Sequence, residues 1–330
     1  INKFNKYVYG YDISKKKISE LNKFNKKFKK RISNNQNILK NCNFFIVCVP
    51  TPVLSNKKPD LSYLVKACKN LTKILKKNDY VVFESTVFPG VTEKVCIPNL
   101  INKYENKKNF FVGYAPERYS PGENKKINHI SKIVSGENKK VANKIKIFYS
   151  KFIKNVYVSK SIEEAEMIKN FENCQRDHNI ALVNELSILC DKSNLNFNSI
   201  LKGCLTKWNF NDYKPGLVGG HCISVDPYYL INFSKSKNFT YSSLENSRKI
   251  NNNFINHTKK RILSFFKKKK LNYKSKILYV GITYKKNVED VRNSGAQKIF
   301  SELKKKYYNL DLLDTKLKKK NKHKLNKYEA

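Results

Sequence analysis

The sequence is poor in acid, in arginine, in glycine and in long apolar runs, and each shortage excludes something. Its 330 residues hold 26 acidic side chains against 67 basic ones, a formal charge of +41. A surplus of that size normally directs attention to nucleic acid or to an anionic membrane surface. Arginine is scarce, however: Arg31, Arg118, Arg176, Arg248, Arg261 and Arg292 are the whole set, and every other basic residue is lysine. Nucleic-acid sites depend on the bidentate and stacking geometry of arginine. No specific nucleic-acid partner is therefore expected, and the lysines, crowded among Asn, Ile, Phe and Tyr, read as a solvated surface set by composition. The eight cysteines, at 42, 48, 68, 96, 174, 190, 204 and 222, include no CxxC pair and no His/Cys cluster at ligand spacing. Neither a zinc site nor a disulfide framework is indicated, and a reducing cytoplasm suits them. The longest apolar runs, such as "FFIVCVP" and "YVVFESTVF", are too short to span a bilayer, and nothing reads as a signal peptide. A membrane partner is not expected.

What is present is an alternation of strand and helix patterns. "KYVYGYDIS" reads as a strand ending in Asp12, "KKKISELNKF" as a helix, "NFFIVCVPTP" as a strand and "DLSYLVKACKNLTKILKK" as a helix. "DYVVFESTVFPG" and "NFFVGYAPERYSPG" follow as strands, and helices of such length between strands imply parallel βαβ units. "SIEEAEMIKNFENCQRDHNIALVNELSILCDKSN" then carries apolar residues at helical spacing without Gly or Pro, which predicts one long helix dividing the molecule. A further helical region runs to about residue 268. "KSKILYVGITYKK", "SGAQKIFSELKKK" and "YNLDLLD" give strand, helix and strand, a second α/β unit, before a terminal lysine run "KLKKKNKHKLNKY".

Chemistry concentrates in four places. An acidic residue at a strand end, here Asp12, is the pattern that hydrogen-bonds an adenosine ribose. "VPTP" (49–52) and "STVFPG" (85–90) fall at the carboxyl ends of strands, where open parallel sheets bind ligands, although a proline turn accounts for both equally well. Lys169 and Asn173 stand four apart on the long helix and share a face; a lysine there is ordinarily solvated. Lastly, "PGLVGGHCISVDPYYL" packs three of only eleven glycines into six residues and follows them with His221 and Cys222. Glycines so close together allow positive φ and close backbone approach to a ligand. Cys222 and Asp226 are again four apart, so that a thiol and a carboxylate face one cavity if a helix starts there. A buried inert cysteine is the ordinary alternative, and the glycines favour the functional one.

"STVFPGVTEKVCIP", "GYAPERYSPG", "KNFENCQRDHNIALVNEL", "KWNFNDYKPGLVGGHCISVDPYYL" and "GITYKKNVEDVRNSG" together resemble the UDP-glucose/GDP-mannose dehydrogenase family, in order and over nearly the whole chain. The resemblance implies an NAD-binding Rossmann domain (1–155), a central helical dimerisation domain bearing the catalytic cysteine loop (156–268) and a Rossmann-like domain for the UDP-sugar (269–330). It also implies a homodimer or higher homo-oligomer. The implied reaction is oxidation of a sugar C6 alcohol to the carboxylate by two NAD+, through a thiohemiacetal and then a thioester on Cys222. Lys169 and Asn173 match the pair that stabilises the substrate oxyanion, and Asp226 the carboxylate that arranges the base chemistry. Glu117 matches the carboxylate of water attack, and Thr86 a hydroxyl at cofactor and water. By the same resemblance Asp12, Pro50, Thr51, Thr86, Glu117 and Arg292 contact the cofactor, while Glu117, Lys169, Asn173, Gly216, Gly219 and Lys285 contact the UDP-sugar.

In UDP-glucose dehydrogenases the cysteine is followed by Pro-Lys-Asp, whereas Ile223, Ser224, Val225 and Asp226 stand here, in the manner of the branch acting on UDP-N-acetylhexosamines for surface polysaccharide. Members of the family open with a strand and a GxGxxG turn that binds pyrophosphate. Nothing ahead of "INKFNKYVYGYD" supplies them, and the last unit stops after its second strand, so the chain reads as cut at both ends. The competing expectation is a noncatalytic basic relic that binds polyanions, RNA or anionic lipid, through its lysines.

Overall fold

The computed structural model describes residues 8–24, 31–101, 109–122 and 126–317. The start of the N-terminal strand pattern (Lys6, Tyr7) and most of the terminal lysine run lie outside them. In chain order the elements are β1 (Gly10–Tyr11), α1 (Lys15–Phe24), β2 (Ile32–Ser33), β3 (Phe44–Val47), α2 (Ser62–Leu71) and β4 (Tyr80–Phe83). They continue with α3 (Ile97–Leu100), β5 (Phe111–Tyr114), β6 (Lys132–Gly136), α4 (Lys139–Ser150), β7 (Val156–Val158) and α5 (Ile162–Lys192). The remainder are α6 (Phe197–Cys204), α7 (Asp226–Ser236), α8 (Ser242–Lys268), β8 (Ile277–Val280), α9 (Gly295–Lys304) and β9 (Leu310–Leu313). The fold is α/β. The chain forms two compact units, one drawn from Ile1–Thr51, Asp60–Tyr119 and Lys125–Lys169, the other from Pro52–Pro59, Ser120–Asn124 and Asn170–Ala330.

In the first unit β3 to β7 form one sheet in the order β3-β4-β5-β6-β7, and β1 pairs with β2 in parallel. The run "YVVF" of β4 is apolar throughout because both faces of this central strand are covered. Val81 and Phe83 enter a core with Leu64 and Cys68 of α2 and Leu100 of α3. Val82 faces the other way, onto Val141, Ile145 and Tyr149 of α4. The side-chain period of two thus sends one strand into two cores.

One strand departs from the parallel expectation. β6 pairs antiparallel with β5, Gly113 opposite Gly136, and β6 and β7 then run parallel. The connection from β5 to β6 has no α-helix among its described residues, so nothing imposes the crossover that a parallel neighbour requires. Neither strand, nor α4 and α6, stands out in the sequence pattern.

Helix α5 has 31 residues, as its unbroken periodicity predicts. Its second turn carries Glu166, wholly buried. The Glu166 carboxylate caps the helical segment that begins at Val91, accepting the Gly90 N–H at 2.5 Å and the Thr92 N–H at 2.9 Å. Burial pushes its carboxyl up to about 7, against the lowering effect of the hydrogen bonds from Thr92 and Gly90. An unfolded glutamate keeps its ordinary 4.5, so the native state holds the proton more tightly. Stability from this group is therefore full below about pH 4.5 and declines by ~3 kcal/mol as pH rises to about 7. The thermal midpoint should fall between pH 5 and pH 8, and Glu166→Gln should flatten that slope. An unchanged slope in the variant would show that other groups cause it.

The second unit consists of the rest of α5 with α6 to α9 and the parallel pair β8-β9, in register Ile277 to Leu310. Phe266 of α8, Ile299 and Leu303 of α9 and Leu310 of β9 are its core at that end. Cys174 of α5 packs with Leu230, Ile231 and Leu244 at the other. Among the described residues no helix is long and apolar enough to cross a membrane.

Candidate active site

In the first unit the strand-end loops are stitched together by hydroxyls. Ser85 Oγ donates to the Val49 carbonyl at 2.7 Å and Thr51 Oγ1 to the Thr86 carbonyl at 2.6 Å. The carboxyl ends of β3 and β4 are therefore one rigid rim carrying Thr51 and Thr86, with Pro50 exposed beside them. Asp12 follows β1; its Oδ1 accepts the Ser14 N–H at 2.9 Å and its Oδ2 meets the exposed Lys17 at 3.3 Å. Glu117 lies past β5, exposed, with Oε1 accepting the N–H groups of Arg118 and Tyr119 at 2.9 and 2.6 Å. Lys169 of α5 is 8% exposed. No carboxylate pairs with its ammonium among the described residues, a rare state for a lysine because an unpaired buried charge is costly.

In the second unit the carboxamide and the carboxylate meet, and the turn that bears the thiol is bonded through its backbone to the carboxylate residue. Cys222 sits in the turn that leads into α7, half-buried, and its carbonyl accepts the N–H groups of Val225 at 2.9 Å and Asp226 at 2.8 Å. A helix does start there, and Asp226 is its first residue. Asp226 is buried, and its Oδ2 accepts Asn173 Nδ2 of α5 at 2.5 Å. Arg292 and the Tyr284 hydroxyl stand within electrostatic reach of the thiol, which adds to the upward push that burial gives the tyrosine. Arg292 itself forms a two-pronged pair with Asp290, Nε to Oδ1 at 3.0 Å and Nη2 to Oδ2 at 2.6 Å. That bond holds the Asp290 carboxyl below its usual range. Lys285 Nζ donates to Ser120 Oγ at 2.7 Å.

The glycines are used differently from one another. Gly216 is held at both backbone groups by the Asn184 amide, its N–H donating to Oδ1 at 2.8 Å and its carbonyl accepting from Nδ2 at 3.1 Å. The space where a side chain would stand at Gly216 is open. At Gly219 that space is taken by Asn293 and Tyr284. Gly220, with φ +81°, has the Tyr284 ring 2.7 Å from where a Cβ would be. The close approach that the sequence suggests is thus, at 219 and 220, an approach of the chain to itself. Gly220→Ala should cost more than ~1 kcal/mol, since strain at positive φ adds to the clash; an unchanged denaturation midpoint would rule this out.

A buried polar network escaped the sequence reading. Arg248 of α8 donates to Asp177 Oδ1 at 2.5 Å, and Asn251 Nδ2 donates to the same oxygen at 2.7 Å. Asn184 Nδ2 donates in turn to Asn251 Oδ1 at 2.8 Å. The charges at Arg248 and Asp177 are almost wholly buried, so removing one alone would strand the other. The available indication was spacing: Asn173, Asp177 and Asn184 recur at helical intervals along one face of α5.

A largely parallel sheet with a hydroxyl-lined strand-end rim in the first unit, and in the second a cysteine in the turn ahead of a carboxamide-bound carboxylate, mark an α/β protein with the makings of an enzyme. Comparison with known proteins then gives its kind. Three domain models of the UDP-glucose/GDP-mannose dehydrogenase family match: the NAD binding domain over residues 1–153, the central domain over 163–253 and the UDP binding domain over 278–330. The chain is 38% identical over 332 residues to the UDP-N-acetyl-D-glucosamine 6-dehydrogenase of Salmonella typhi, covering 93% of this chain and 76% of that protein. Identity to Protein CapL of Staphylococcus aureus is 38% over 344 residues, covering 94% and 81%. A solved UDP-D-ManNAc dehydrogenase from Pyrococcus horikoshii superposes with a TM-score of 0.84 at 28% identity, covering 98% of this chain and 81% of that one. The chain belongs to the UDP-glucose/GDP-mannose dehydrogenase family, oxidoreductases that use NAD.

The donor set of the first unit fits that cofactor. A carboxylate after β1, with one oxygen opposed among the described residues only by an exposed lysine, suits ribose hydroxyls. The Thr51 and Thr86 rim lies at the carboxyl ends of parallel strands, where dinucleotides bind.

Proposed function

We propose that the protein oxidises the C6 hydroxyl of a UDP-N-acetylhexosamine to the uronate, for surface polysaccharide, with Cys222 as the covalent catalyst. The observation that carries the reading is the group on α5 and α7. A buried ammonium with no carboxylate paired to it among the described residues, Lys169, stands one helical turn before Asn173, and Asn173 binds the Asp226 carboxylate at the end of the turn that bears Cys222. Relatives named as UDP-N-acetyl-D-glucosamine and UDP-N-acetyl-D-mannosamine dehydrogenases favour this reading over polyanion binding.

NAD+, when bound, accepts a hydride in each of the two oxidations. Asp12, Pro50, Thr51, Thr86 and Arg292 are proposed to hold it, and Gly216, Gly219 and Lys285 the UDP-sugar. Lys169 and Asn173 stabilise negative charge on the sugar oxygen as its proton leaves, a cation and an amide donor on one oxyanion. The Cys222 thiolate adds to the C6 aldehyde, forming a C–S bond, and the thiohemiacetal gives up its C6 hydrogen as hydride and its hydroxyl proton to become a thioester. Water then adds to the thioester carbon, the C–S bond breaks, and the carboxylate and the thiol are released. Glu117 takes the proton of that water and Asp226 orients the proton traffic beside the thiol. Phe171, Leu182 and Leu189, each at least half exposed on one face of α5, support a homo-oligomer in which a second copy covers them.

The test is turnover of the full-length protein with NAD+ and a panel of UDP-sugars. Two NADH should form per sugar with a UDP-N-acetylhexosamine, and little with UDP-glucose. NADH formation with no N-acetylhexosamine would overturn the assignment.

A further inference from the structure

Among the described residues of the first unit Lys132 is the other buried lysine, and the mechanism above makes no use of it. It opens β6 and is 6% exposed. Its Nζ lies 2.8 Å from Glu84 Oε1 and 5.0 Å from the centre of the Tyr149 ring. Glu84, at the carboxyl end of β4, is nearly saturated: Oε1 also accepts the Tyr149 hydroxyl at 2.5 Å, and Oε2 faces the Cys48 thiol at 3.6 Å. Cys48 is an exposed residue, yet desolvation of its thiol against this cluster and the Glu84 charge push it up to about 12, so it stands there as a neutral donor. The Tyr149 hydroxyl is likewise kept protonated by burial and by Glu84. Lys132 is thus fixed from one side by a carboxylate whose other partners are neutral.

An ammonium carries three donors. One is spent on Glu84, and the cation reaches Glu117 Oε2 at 3.5 Å. The other Glu117 oxygen is bound by the backbone N–H groups of Arg118 and Tyr119. Glu117 is therefore held at both oxygens although its side chain is 54% exposed to solvent. An exposed carboxylate ordinarily samples several rotamers, and a pair between it and a lysine contributes little to stability. An anchored carboxylate open to water on one side suits orientation of a nucleophilic water, where misplacement by about 1 Å costs about 10²-fold in rate.

We propose that Lys132, anchored by Glu84 and Tyr149, is the positioning residue for the Glu117 carboxylate in hydrolysis of the covalent intermediate. This rests on the reading of Glu117 given under Proposed function. Lys132 touches neither sugar nor cofactor in this role; it acts through Glu117. The hydrolytic half of the reaction should therefore suffer selectively when it is removed, and the acyl group should remain on Cys222.

The test is rapid-quench mass spectrometry of the full-length protein turning over with NAD+ and a UDP-N-acetylhexosamine. In Lys132→Met the turnover rate should fall by about 10²-fold. The acyl adduct on Cys222 should accumulate, and KM for the sugar should change by less than about threefold. Glu117→Gln should give the same adduct, and the double variant should be no slower than Glu117→Gln alone, since both act at one step. A rate loss in Lys132→Met without adduct, while Glu117→Gln shows it, would reduce Lys132 to a structural partner of Glu84. Absence of adduct in Glu117→Gln would instead overturn the reading of Glu117, and the inference with it. If Lys132→Met does not fold, Glu84→Gln, which loosens the anchor and keeps its shape, decides the matter: adduct supports the positioning role and its absence overturns it.

Discussion

Cys222→Ser is expected to abolish uronate formation, lowering its rate by at least about 10⁴-fold, while UDP-sugar affinity stays nearly unchanged. The thiol is asked to add to an aldehyde and then to leave from an acyl carbon, and a serine hydroxyl, with its far higher pKa, does the first poorly and the second worse. The local arrangement serves a nucleophile: the side chain is half-buried, at the head of α7, with the Arg292 guanidinium within electrostatic reach. Cys42 is also half-buried with the Lys76 ammonium within reach, but burial still pushes its thiol up. The Cys48 thiol, on an exposed residue, is pushed up to about 12 by desolvation of its position and by the adjacent Glu84 charge, and the buried Cys174 thiol is pushed well up by burial, so at neutral pH they stay thiols. Serine at Cys48 or Cys174 should leave the chemistry intact. NADH release and product analysis on the Cys222 variant, alongside calorimetric titration with the UDP-sugar, measure the two halves separately. Uronate formation at the wild-type rate would refute covalent catalysis.

The elements that were plain in the sequence are those whose information is local. Helix α5 follows from a long apolar periodicity without Gly or Pro, and α1 begins and ends where "KKKISELNKF" does. β6 was not plain, because strand direction depends on how the preceding loop returns, not on the composition of "KIVSG". The triple glycine was recognisable as exceptional, but its reason was not: Tyr284 and Asn293, the neighbours that forbid a side chain at Gly219, come from the far end of the chain. Lys132 and Lys169 show the limit most clearly. In a chain where lysine covers the surface, no property of either residue marks it as buried. Lys169 became visible only through the motif around it, and Lys132 had no motif at all. The Asp177 and Arg248 pair, 71 residues apart, is invisible for the same physical reason: ion pairs between helices are set by packing, and packing is not local.

Lys169→Met and Asn173→Ala are each expected to lower the rate of the chemical step by about 10²–10³. The argument starts from cost. Among the described residues no carboxylate pairs with the buried Lys169 ammonium, an unfavourable burial, and such a site persists where an anion arrives during turnover to complete it. Asn173 uses Nδ2 to bind Asp226, and an amide nitrogen carries two donors, so one N–H suffices for Asp226 and, on the proposed reading, the second serves a ligand oxygen. If both groups act on the same developing oxyanion, removing the second after the first is already gone should cost little more. The double variant should therefore resemble the worse single variant, with the loss expressed in kcat and KM moved only slightly. Lys169→Met keeps the volume and apolar packing of the side chain and deletes the charge, which separates chemistry from folding. Single-turnover kinetics of the two single variants and the double variant decide the question. Independent losses that add, confined to KM, would mean that α5 supplies two binding contacts and no stabilisation of the transition state.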